Sequence, residues 1–131
     1  MGTAVPFAVR DSFIKELQAF RDHERVWVWL ADVYGREIYA GCVSEGTVHA
    51  ISSYERELLE VAVQYHASGA VILHNCFDSS LAVSPKDIDT TAKLKKLLCK
   101  LHVRLLDHLI MTPSAYVSMA ADPALHELFF K

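Results

Sequence analysis

The chain has 131 residues, of which 52% are apolar, and this suits one compact domain with a single hydrophobic core. The net charge of −3 excludes a chain-wide attraction to nucleic acid or to an anionic membrane, and no apolar run approaches the roughly 20 residues of a membrane-spanning helix. Three widely separated cysteines do not form the framework of a disulfide-rich secreted protein, so we expect a reduced, cytoplasmic chain.

The first part of the chain predicts a helix followed by a β-hairpin. Residues 11–20 place apolar side chains at helical spacing behind a capping aspartate or serine. Residues 26–31 are apolar at every position and rich in β-forming types, which is typical of a strand buried on both faces. A short gap containing Gly35 separates them from a second strand over 37–43. We therefore expect a sheet that is at least partly antiparallel.

The middle of the chain alternates helices with a buried strand. Ser52 and Glu55 resemble a capping box that opens a helix over 52–68, with its apolar side chains facing inward. The apolar run 70–73 follows at once and predicts another buried strand. A capping serine, a proline and an acid then open a helix over 85–102.

The last part of the chain predicts two strands and a short helix. The strands cover 103–111 and 116–119, and a Thr-Pro-Ser turn joins them. Asp122 and Pro123 begin the terminal helix. The predicted order is α, ββ, α, β, α, ββ, α, in one α/β domain over residues 1–131.

Polar side chains gather where the strand 70–73 emerges and faces the start of the next helix, a common place for a site in α/β folds. They are His74, Cys76, Ser84 and Asp87. Histidine, cysteinate and aspartate are zinc ligands, and three protein ligands with one water form the catalytic zinc pattern. His74, Cys76 and Asp87 are therefore candidate metal ligands.

Residues 74–79 carry a motif that resembles the RadC family. Their sequence, His-Asn-Cys-Phe-Asp-Ser, resembles the family's His-Asn-His-Pro-Ser-Gly, and residues 84–88 resemble the Ser-x-x-Asp-Ile part of the motif that follows it. Val-Arg-Leu-Leu-Asp-His-Leu-Ile at 103–110 resembles the family's Ile-Arg-Leu-Leu-Asp-His-Ile-Ile, and Tyr-Val-Ser at 116–118 resembles the end of the domain. The resemblance covers residues 22–119.

The resemblance implies a JAB/MPN-type fold, which is cytidine-deaminase-like, with three layers and a central mixed sheet between helices. It also implies a zinc-dependent peptide or isopeptide hydrolase of the JAMM type, from a family with a DNA-repair name. By position in the motif, His74 and Asp87 correspond to zinc ligands and Ser84 to the serine that stabilises the tetrahedral intermediate. The general-base glutamate of the superfamily corresponds to Glu24.

The sequence departs from the family at the second ligand, where Cys76 replaces histidine. A cysteine sulfur lies about 2 Å closer to the backbone than a histidine Nε2, so the loop would have to move to use the thiolate. Two functions therefore stay open: an adapted zinc hydrolase, and a metal-free JAB pseudoenzyme that binds a protein partner through the same groove or a strand edge. A homodimer through a sheet edge or the first helix fits either.

Simpler interpretations accompany several of these residues. Ser84 and Asp87 also fit a plain helix cap, and Glu24 also fits a solvated acid at the end of the first helix. Cys76 also fits a buried apolar residue, or a nucleophile activated by His74. The lysines of the helix over 85–102 are most simply a solvated face, so we expect no nucleic-acid partner. The adjacent Asp and His of strand 103–111 point to opposite faces and are interpreted as structural.

Overall fold

The computed structural model describes residues 11–19, 24–46, 54–75, 83 and 85–130. The elements follow the predicted order. They are α1 (Asp11–Gln18), β1 (Glu24–Ala31), β2 (Glu37–Gly46), α2 (Glu55–Gln64), β3 (Gly69–Asn75), α3 (Pro85–Lys100), β4 (Arg104–Met111), β5 (Tyr116–Ser118) and α4 (Glu127–Phe130). In this part of the chain, none of the helices has the length and apolar character needed to span a membrane.

The five strands form one mixed sheet in the order β2-β1-β3-β4-β5. β1 pairs antiparallel with both β2 and β3, and β4 pairs antiparallel with β5. β3 and β4 are parallel, as a connection through a crossover helix, here α3, allows. The predicted hairpin is confirmed: Gly35 takes a φ of 80° between β1 and β2, and the Asp32 carboxylate accepts hydrogen bonds from the backbone of Tyr34 and Arg36.

Helices cover both faces of this sheet, which confirms the expected three-layer α/β architecture. One face packs against α2, α3 and α4 through a core that includes Leu58, Ile72 and Leu94. The other face packs against α1 through a smaller core that includes Ile14 and Trp29. Every residue of β1 is buried, because this interior strand contributes side chains to both cores. Burial on both faces explains why residues 26–31 are apolar at every position.

The prediction for α2 is partly wrong. The helix ends at Gln64, before the predicted end at residue 68. His66 has a positive φ of 54°, which breaks the helical conformation, and Gly69 is already the first residue of β3. Val63 and Tyr65, which were expected to face inward, are 55% and 39% exposed. The helix packs on the sheet through Leu58 and Ala62, and the Tyr65 ring lies over that of Tyr39, with centroids 4.5 Å apart. The capping role predicted for Ser52 lies outside the described residues; Tyr54 occupies the N-cap position without a side-chain cap.

Candidate functional site

The candidate site lies where the start of β1 meets the end of β3. The antiparallel register pairs Val26 with His74, so Glu24, two residues earlier, projects from the same face of the sheet as His74. Asn75 fastens the two strand ends together, since its buried Oδ1 accepts a hydrogen bond from the Arg25 backbone N–H at 2.5 Å. The strand pairing therefore brings Glu24 and His74 together, although they are 50 positions apart in sequence.

Glu24 and His74 face each other across a short gap. Glu24 Oε1 lies 3.7 Å from His74 Nε2, and the two side chains are only 11% and 16% exposed. The separation is longer than a hydrogen bond, and within the described residues His74 Nε2 is buried without a hydrogen-bond partner. A buried ring nitrogen without a partner is costly, and such groups mark places where a ligand or a reacting atom belongs.

Asp87 approaches the same region from the first turn of α3. Burial lowers the pKa of His108 to about 3, and the charges that act next on this ring are those of His74 and Asp87. Burial also raises the pKa of Tyr54, and the negative charges of Glu55 and Asp87 raise it further. Asp87 is thus close enough to His108 on β4 and to Tyr54 at the start of α2 for its charge to act on both.

The structure places three of the predicted site residues and leaves the other two outside the described residues. Glu24 lies beside His74, buried and not solvated at the end of α1, and Asp87 lies in the first turn of α3. Cys76 and Ser84 lie outside the described residues. Among the residues that are described, no three histidine, cysteine, aspartate or glutamate side chains are close enough together to hold a metal ion. The complete ligand set therefore stays a prediction.

His108 joins the site and was not a sequence candidate. Its register partner on β3 is Ile72, so His108 shares a face with His74 and lies one pleat deeper, with ring centroids 6.2 Å apart. His108 Nδ1 lies 2.8 Å from Thr91 Oγ1, and this hydroxyl also lies 2.7 Å from the Asp87 carbonyl oxygen. His108 is 2% exposed, and its Nε2 makes no hydrogen bond within the described residues.

The structure also places the lysines of α3, two of the cysteines and the adjacent residues Asp107 and His108. Lys93 pairs with Glu55 at 3.3 Å, and Lys96 and Lys100 are exposed, which agrees with a solvated face on α3. Cys42 and Cys99 are exposed and form no disulfide within the described residues. Asp107 and the following His108 project to opposite faces of β4, as strand alternation requires.

Comparison with known proteins places this site in a family context. Residues 4–125 match the RadC-like JAB domain. A UPF0758 protein of Pseudomonas fluorescens is 33% identical over 115 residues, which are 88% of this chain and 51% of the relative. A UPF0758 protein of Acidovorax sp. is 37% identical over 102 residues, and one of Bordetella pertussis is 37% identical over 80 residues. These two matches cover 78% and 61% of this chain but only 43% and 36% of the relatives. The chain spans about half the length of these relatives or less.

Proposed function

The chain belongs to the RadC-like JAB domain family, and from that membership we propose that it carries a JAMM-type zinc site that hydrolyses peptide or isopeptide bonds. The observation that carries the proposal is the buried pair of Glu24 and His74, whose facing oxygen and nitrogen lie 3.7 Å apart. The family resemblance assigns these two positions to a proton carrier and a metal ligand, and the antiparallel register of β1 and β3 puts them side by side.

The residues present fit a zinc ion. His74 offers a buried ring nitrogen that makes no hydrogen bond in the described part of the chain, and a neutral imidazole nitrogen is a common zinc ligand. Asp87 would supply a carboxylate and Cys76 a thiolate, both of which zinc accepts. Two anionic ligands in place of one would make the metal a weaker Lewis acid, so we expect hydrolysis to be slow.

The protein's own groups would divide the chemistry among them. Zinc, when bound, would activate water and polarise the scissile carbonyl. Glu24 takes a proton from the attacking water on a carboxylate oxygen and returns it to the leaving nitrogen. The Ser84 hydroxyl donates a hydrogen bond to the oxygen on which negative charge develops. The low exposure of Glu24 and His74 limits competing water around the transferred proton.

The second candidate is a metal-free JAB module that binds a protein partner. The replacement of histidine by Cys76 favours it, because the shorter side chain holds its sulfur about 2 Å farther from a metal in the family's position. The exposed cysteines Cys42 and Cys99 support a cytoplasmic location for either function. A link to DNA repair rests on the family name alone, and the same holds for the identity of the substrate.

Titration of the metal-free protein with cobalt(II) tests the proposed ligand set. Cobalt(II) occupies zinc sites, and a bound thiolate gives it an intense near-ultraviolet charge-transfer band. We expect this band in the native protein, because Cys76 contributes a thiolate. We expect Cys76→Ser to lose the band, because a hydroxyl gives no such transition.

Cys42→Ser and Cys99→Ser are the matched controls, because both thiols are exposed and lie on β2 and late in α3. Both variants should keep the band. A native protein that binds no cobalt, together with a Cys76→His variant that does, would support the metal-free module.

A further inference from the structure

We propose that His108 and Thr91 are positioning residues, which hold the first turn of α3 and therefore the Asp87 carboxylate at a fixed distance from His74. This inference rests on the proposed function, since it assigns a role toward the same site. It concerns two residues that neither bind substrate nor take a metal ligand's place in the family motif.

Thr91 is the link between α3 and the sheet. Its side chain is fully buried, and Oγ1 lies 2.7 Å from the Asp87 carbonyl oxygen and 2.8 Å from His108 Nδ1. A hydroxyl has one proton to donate. If Thr91 donates to the Asp87 carbonyl, His108 Nδ1–H donates to Thr91, and both contacts are satisfied at once.

This arrangement fixes which tautomer His108 adopts. With the proton on Nδ1, the buried Nε2 presents a lone pair. The other tautomer would leave an N–H donor at Nε2, where the described residues offer no acceptor within hydrogen-bond distance. An orphaned buried N–H is rarer in proteins than an under-satisfied acceptor. The ring is therefore locked by a directional bond to α3, not only by the packing around it.

His108 also borders the other half of the site. Its ring lies 6.2 Å from that of His74 at an interplanar angle of 43°, and its strand neighbour Ile72 precedes His74 on the same face of β3. One buried residue thus contacts the helix that carries Asp87 and backs the ring of His74. A shift of His108 would change the spacing between these two groups.

His108 does not act as a ligand itself. His108 is 2% exposed, its Nδ1 is bonded to Thr91, and it does not stand at a ligand position of the family motif. Groups behind the ligands commonly fix ligand orientation, and their loss weakens metal affinity by about 10-fold to 100-fold. The position of His108 and Thr91 fits this indirect role.

The test compares zinc affinities of threonine variants, measured by competition with a chromophoric chelator. Thr91→Val keeps the shape of the side chain and removes the hydroxyl, so we expect zinc to bind about 10-fold more weakly or worse. Thr91→Ser keeps the hydroxyl and should restore most of the affinity. Thr90→Val makes the same chemical change one residue earlier on α3, where the side chain is not fully buried, and should leave affinity unchanged.

A fourth variant separates positioning from stability. Leu98→Val destabilises the opposite end of α3, where Leu98 is fully buried and far from Asp87 along the helix. It should lower the melting temperature without weakening zinc binding. Equal zinc affinity in native protein and Thr91→Val would overturn the inference, as would an equal loss in Leu98→Val.

If the native chain does not bind zinc, the zinc affinities of the same variants are compared in the Cys76→His background. Zinc binding there that is insensitive to Thr91→Val would contradict the positioning role alone. Absence of zinc in both backgrounds would contradict the proposed metal site, and the positioning role would fall with it.

Discussion

Replacing Glu24 with glutamine is expected to lower the rate of peptide-bond hydrolysis by about 100-fold or more, because general acid–base catalysis contributes at least that factor. The amide matches the carboxylate in shape but cannot take a proton. Its zinc content should stay at the native level, since Glu24 is assigned to proton transfer and not to the metal. The measurement is mass spectrometric turnover of a defined peptide mixture, with the zinc content of each sample determined alongside.

The matched control is Glu57→Gln, which makes the same change on the exposed surface of α2. It should keep native turnover. The Cys76→His variant provides a second background in which the family's ligand is restored and turnover should be higher. Undiminished hydrolysis by Glu24→Gln in both backgrounds would contradict the assigned role, and loss of zinc from this variant would make Glu24 a ligand instead.

Replacing Asp107 with alanine is expected to lower the free energy of unfolding by about 3 kcal/mol or more, because each buried donor left without a partner costs about 1–3 kcal/mol. The fully buried carboxylate accepts hydrogen bonds from the Ser118 hydroxyl at 2.5 Å and from the backbone N–H groups of Ala120 and His108. Alanine would leave all three donors without this acceptor and remove the side-chain links from β4 to Ser118 and Ala120. Urea unfolding followed by circular dichroism measures the loss.

Asp107→Asn separates hydrogen bonding from charge. Burial raises the pKa of Asp107, against the lowering effect of its hydrogen bonds to Ser118 and Ala120, so the charged form is disfavoured where it sits. The asparagine oxygen can keep the two backbone N–H bonds while its NH₂ group donates to the Ser118 oxygen, and we expect a loss of about 1 kcal/mol or less. Asp89→Ala, on the exposed face of α3, should be near neutral. Equal losses for alanine and asparagine at 107 would contradict this account.

The order of elements could be predicted because each carries a local signal. The apolar run of β1 and the serine, proline and acid that precede α3 specify type and start without reference to the rest of the chain. The inward side of α2 was predicted less well. Tyr65 follows the last helical residue and finds its partner in Tyr39, a contact that depends on where β2 lies and that helical spacing cannot show.

The candidate site was predictable only where a motif marked it. Glu24 and His74 are far apart in sequence, and only the family resemblance indicated that they belong to one site. The register of β1 and β3 places them side by side. His108 was interpreted as structural because strand alternation separates it from its neighbour Asp107. Its place behind His74 follows from the parallel pairing of β3 with β4, which the crossover through α3 makes possible. Local sequence patterns do not show which strands pair.

Elemental analysis of the native protein, purified without a metal-affinity tag, tests the central claim most directly. The account predicts about one zinc per chain, the stoichiometry of a single catalytic site, and its loss in Asp87→Asn, which keeps the shape of the ligand but removes its charge. No zinc in the native protein, with about one per chain in Cys76→His, would contradict it. The fold would then retain a site that Cys76 has disabled, and the protein-binding module would be the better account.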